Sequence, residues 1–140
     1  MLRHFLSLVV LTMVTPTLSA AMPSAVRKAA PSHASVVWKS EITKDKYGNT
    51  HRKLFLLVGG RKKLILPKVT AECMELRRAH YTLYDVPATA ITACRSWWAG
   101  QGEFLYVLRR GKQLVIFLRE EDEGTPVKAY KRLPIVISLP

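Results

Sequence analysis

"CRSWWAGQGEF", residues 94–104, sets a cysteine three residues before the first of two adjacent tryptophans and follows them with two glycines one residue apart. How this stretch is read decides the fold. Counted at the helical period it continues a face that starts upstream, because Ile91, Cys94 and Trp98 are spaced three and four apart. Pro87 suits a first helical position and Gly100 the residue just past a helix end, so the pattern predicts a helix from Pro87 to the glycine. Trp98 is then buried beside Cys94. Trp97, about 100° around, leans toward Ala90 and Ala93 and stays partly exposed at the rim.

The preceding residues carry the same period. Val69, Cys73, Leu76, His80 and Leu83 are spaced four, three, four and three apart, with Thr70 where an N-cap would stand. That predicts a second amphipathic helix over 69–83. Cys73 and Cys94, the chain's two cysteines, then lie on the inward faces of a helical hairpin, and one disulfide is expected between them.

On either side of this pair the period is two. Val36, Trp38 and Ile42 alternate with Lys39, Glu41 and Thr43. "DKYGN" turns the chain into "HRKLFLLV", and Gly59 and Gly60 join that run to "RKKLIL". Two glycines between apolar runs predict a type I′ hairpin, since both central positions need positive φ. Pro67 ends the meander. Alternation resumes at "EFLYVLRRGKQLVIFLRE", apolar on both faces and therefore in need of cover on both, which the helical pair supplies on one side. A last strand runs from about Val127 to Ile137, and Pro134 marks it as an edge strand or a bulge. The expected fold is α+β: about six antiparallel strands in a curved sheet or partly open barrel, with a two-helix insertion after the third strand and one disulfide.

Of the 140 residues, 1–21 read as an export signal: Arg3, an apolar run from Phe5 to Val14, Pro16, then "TLSAA". Ser19 and Ala21 occupy the small-residue positions of a cleavage site. Cutting after Ala20 is the near alternative. Ten apolar residues are too few to cross a hydrocarbon core of about 30 Å. No later stretch is long enough to span. Residues 22–34 have the Pro/Ala/Ser composition of a flexible leader, and 35–140 form one small domain in the periplasm or outside the cell.

The chain has 22 basic and 10 acidic residues, and loss of Arg3 with the signal leaves about +11. The positive residues gather near predicted turns, at Arg61, Lys62 and Lys63 and at Arg109, Arg110 and Lys112. With Trp97 and Tyr130 as aromatics at the rim, they are the candidate binding residues for an anionic polymer or an anionic membrane surface. The leading expectation is a non-catalytic exported binding module. The alternative is a periplasmic or secreted inhibitor or accessory factor whose partner is a protein, possibly an enzyme. Nucleic acid ranks below these, because no single-strand-binding signature or basic helix repeat accompanies the charge.

A small secreted enzyme ranks last. His33, His51 and His80 are the histidines left after export, and none pairs with a nucleophile: Cys73 and His80 would be about 10 Å apart along one helix. There is no G-x-S-x-G, H-E-x-x-H, C-x-x-C or Walker pattern. "EEDEG" at 120–124 lacks the alternating spacing of a calcium loop, so no metal and no cofactor is expected.

Overall fold

The computed structural model describes residues 34–140, and the predicted signal (1–21) and nearly all of the predicted leader (22–34) lie outside them. β1 (Val36–Lys44), β2 (Thr50–Val58) and β3 (Arg61–Val69) form one antiparallel sheet in that order. β4 (Met74–Glu75), β5 (Thr92–Trp98), β6 (Gln101–Arg110), β7 (Gln113–Asp122) and β8 (Lys131–Ser138) form a second. Between β4 and β5 the only helical turns are two short 3₁₀ pieces, Arg78–His80 and Thr82–Tyr84. The fold is nearly all-β, which overturns the α+β expectation, its two helices and its count of six strands.

The hairpin at the end of the opening stretch is the reason. Trp98 pairs with Gln101 across Ala99 and Gly100, both at positive φ (51° and 81°), and the ladder runs back to Thr92 opposite Val107. Gly100 is thus a turn residue. Gly102 is a close approach: a Cβ there would fall on the Ser96 carbonyl. The spacing of four between Cys94 and Trp98 fits a helix face and equally one face of a strand, so it could not distinguish them. The 69–83 helix dissolves for a different reason. Val69 ends β3, Thr70 N–H and Oγ1–H donate to the Glu103 carboxylate, and Leu83 is largely exposed. Asp85 at φ 56° and the extended preference of Val86 before Pro87 break any helix that starts there.

The main core lies between the sheets. Leu54, Leu56, Ile65 and Trp38 meet Leu105, Val107, Leu114 and Ile116, with the Cys73–Cys94 disulfide among them (Cα–Cα 5.4 Å). Each such side chain contributes roughly 1.5–3 kcal/mol on leaving water. Trp38 Nε1 donates to Thr92 Oγ1 (3.1 Å), whose hydroxyl donates to Glu75 (3.2 Å). β6 and β7 are indeed apolar on both faces. Their second face is covered by the segment 76–91, which buries Tyr81, Val86 and Ala90 against Ala93 and Tyr106. The cover that the sequence demands is there, but as an irregular loop.

Two prolines behave according to edge-strand rules. β3 continues through Pro67 to Val69 with bulged register opposite β2, so Pro67 does not end the meander. β8 is the other sheet's edge, begins at Lys131 and has irregular pairing around Pro134, as expected of that residue.

Candidate functional site

The β2–β3 hairpin turns through Gly59 and Gly60 at φ 57° and 81°, the predicted type I′ geometry. It delivers Arg61 opposite Val58 and Lys63 opposite Leu56. Val58 and Leu56 are buried, whereas Arg61 and Lys63 on the edge strand are exposed. At the same end of the molecule the β6–β7 hairpin pairs Arg110 with Gln113 across Gly111 and Lys112, and Gln113 pairs with Ser138 of β8. Leu139 N–H donates to the Lys112 carbonyl (2.8 Å), tying the chain's last residues to this turn.

A groove of about 690 Å³ lies between Arg61 to Lys63 on one wall and Ile137 to Pro140 on the other. The two basic turns, nearly 50 residues apart in sequence, therefore share one end. No acidic residue occurs in 34–40, 57–64, 107–115 or 136–140, the stretches that build it. The carboxylates Glu120, Glu121, Asp122 and Glu123 lie at the opposite end of β7. A basic wall facing the apolar Ile137 and Leu139, with the carboxylates at the far end, gives this end a positive field that favours anions.

The predicted residues do not all join this groove as free charges. Lys62 points to the outer face of the three-stranded sheet, where its Nζ lies 3.0 Å from Glu41 and 4.5 Å from the Phe55 ring centroid. With Lys39 also at 3.3 Å, hydrogen bonds from Lys62 and then Lys39 hold the Glu41 carboxyl below its usual range. Arg109 Nε donates to the Gly111 carbonyl (2.9 Å) and braces its own turn. Among the described residues, Arg61, Lys63, Arg110 and Lys112 have no carboxylate within ion-pair distance.

Trp97 and Tyr130 sit elsewhere. Trp97, Arg95, Phe104, Arg119 and Tyr130 form a layered cluster on the loop-covered face of the five-stranded sheet. The Arg95 guanidinium lies 5.0 Å from Trp97 and 5.4 Å from Tyr84, and that of Arg119 lies 4.6 Å from Tyr130 and 5.1 Å from the buried Phe104. Arg119, only 4% exposed, is neutralised by Asp85 (3.1 Å) and Glu121 (3.0 Å). Glu121 stands beside Arg119 Nε but off its N–H axis, so it supplies charge without an aligned hydrogen bond there. Tyr130 donates its hydroxyl to the Tyr84 carbonyl (2.8 Å), and burial pushes its pKa up to about 12. Both aromatics are packing residues of this layer, and nothing places them at the rim of the basic groove.

The two tryptophans also exchange the roles that helical counting assigned them. Trp98 is 70% exposed, while Trp97 is half-buried. Trp98 overhangs a cleft of about 660 Å³ at the acidic end, together with His51, Arg52, Glu103 and Glu120. His51 Nε2 is 3.0 Å from Thr43 Oγ1, and both Glu103 oxygens accept from Thr70, so these two groups already serve the fold. No sequence pattern announced this cleft, because its walls come from six separate strands. The arginine layer was equally hidden, since Arg95 and Arg119 read locally as solvated charges. Among the described residues no three His, Cys, Asp or Glu side chains gather as a metal site, and no helix is long and apolar enough to cross a membrane.

No family model matches this chain, and neither a curated protein nor a solved structure matches it.

Proposed function

We propose that this chain is a small exported, non-catalytic binding module that takes an anionic envelope or extracellular component at its basic end. The observation that carries the reading is that the β2–β3 turn lines a groove whose other wall, Ile137 to Pro140, is hydrogen-bonded through Leu139 to the β6–β7 turn, with no Asp or Glu in the segments that build this end. Arg61, Lys63, Arg110 and Lys112 bind, Arg109 shapes the second turn, and Lys62 acts on the adjoining sheet face. The aromatic rim expected from Trp97 and Tyr130 forms no part of the site.

The test is retention on heparin across a salt gradient. Charge reversal at Arg61, Lys63, Arg109, Arg110 and Lys112 alters only exposed side chains. It should abolish retention while leaving the melting temperature within a few degrees. Wild-type retention should fade steeply with salt, as the Debye length shrinks from ~10 Å at 0.1 M to ~3 Å at 1 M. A folded reversal variant that elutes with the wild type would mean that the charge merely solvates the surface. The protein-partner alternative would then lead, supported by the exposed apolar side chains of the three-stranded sheet.

A further inference from the structure

β2 is apolar on both faces: Leu54, Leu56 and Val58 enter the core, while Phe55 and Leu57 point away from it. β6 and β7 share this pattern and have a second cover in segment 76–91. Among the described residues the three-stranded sheet has none. The register sets Val37 opposite Leu57 and Leu64 opposite Phe55, so the four side chains form one patch. Val37 is 50% exposed and Leu64 41%.

The surroundings of the patch are basic. Lys39, Lys53 and Lys62 share its face, and Glu41, the one carboxylate on these three strands, is held by Lys39 and Lys62. The Gly59–Gly60 turn joins the patch directly to the basic groove at Arg61 and Lys63.

We propose that this outer sheet face, together with the basic end, docks on an anionic lipid bilayer. The proposal rests on the polyanion reading above and names the anionic surface. A polysaccharide or nucleic acid backbone gives Val37, Leu57 and Leu64 no hydrocarbon to enter, whereas the headgroup boundary of a bilayer does. Lysine stems lie along apolar surface while their ammonium groups stay at the phosphate level, which suits Lys39, Lys53 and Lys62 around the patch. A second copy seated on the same face would set these lysines against their own images. Charge complementarity therefore selects the lipid surface.

The test compares vesicles of phosphatidylcholine alone, vesicles of phosphatidylcholine with phosphatidylglycerol, and heparin, using the chain with its natural N-terminus in every variant. The wild type should bind the phosphatidylglycerol vesicles and not the neutral ones, with part of the binding surviving salt that releases heparin. Val37→Ser with Leu64→Ser should weaken vesicle binding by roughly tenfold, from the loss of two half-exposed aliphatic groups. It should leave heparin retention and the melting temperature unchanged. If the double variant binds vesicles as the wild type does, the face is not used and the proposal fails. Heparin binding without vesicle binding overturns the bilayer assignment and leaves the polyanion reading standing. Loss of both overturns the polyanion reading as well. A wild-type dimer that the double variant dissociates would show that a second copy covers the face, and the bilayer proposal would fall.

Discussion

Breaking the Cys73–Cys94 bond probes the architecture most directly, because the disulfide ties the segment after β3 to the middle of β5. The two residues are 21 apart in sequence. For a loop of that length the chain-entropy account gives about 11 cal/mol/K, or about 3 kcal/mol at 25 °C. Unfolding a domain the size of residues 34–140 releases about 2.1 cal/mol/K per residue, so the loss corresponds to a fall in Tm of about 15 °C. Access shapes the kinetics. Cys94 is fully buried and Cys73 is 7% exposed, so a reductant reaches the sulfurs only when the structure opens. Reduction in native buffer should therefore be slow and should accelerate with low denaturant. The assay is thermal melting by circular dichroism of oxidised and fully reduced protein, with intact mass after alkylation to count thiols. Two thiols that alkylate readily in native protein, or a Tm that moves less than about 3 °C on complete reduction, would refute the reasoning.

Alkaline pH should destabilise the domain. Burial raises the phenol of Tyr130 to about 12, and those of Tyr81 and Tyr106 also rise by burial, against an ordinary value of 10.0. The folded state thus holds protons that the unfolded chain releases, so stability is fully present below pH 10 and declines as pH rises toward 12. Melting temperature against pH should show that decline, and Tyr130→Phe should make it shallower; an identical slope in the variant would assign the loss to other groups. Acrylamide should quench mainly Trp98, which is 70% exposed against 9% for Trp38, so Trp98→Phe should remove most of the accessible fluorescence. Unchanged quenching in that variant would refute the exposed position of Trp98 at the hairpin.

Several features are legible along the chain because they depend on residues within a few positions of one another. Gly59 and Gly60 specify their turn by their tolerance of positive φ. The alternation of 36–42 and the two-faced apolar runs of β6 and β7 specify strands, and in the latter the need for a second cover. The cysteine pair specifies a crosslink whatever the local structure, since two inward-facing sulfurs meet as well from adjacent strands as from adjacent helices.

Residues 69–98 were not legible in this way. A spacing of four lies on one face at period 3.6 and at period 2 alike, and Thr92, Ala93, Cys94 and Ser96 are small residues buried on both sides, so neither period stands out. Short helices are marginal in water, while a ladder with β6 satisfies the backbone of β5 at once, so non-local pairing decided between the two. The same holds for the site. The positive charge and its clustering belong to the sequence, and they are what the proposal of an anionic partner draws from it. That Arg61 and Lys63 face the C-terminal strand across a groove, and that Leu139 ties this strand to the Lys112 turn, was decided only by the tertiary structure. So were the turning of Lys62 onto Glu41 and Phe55, and the placing of Trp97 and Tyr130 in a layer with Arg95 and Arg119. Each is a relation between residues tens of positions apart, fixed by which strand edges pair and which faces pack.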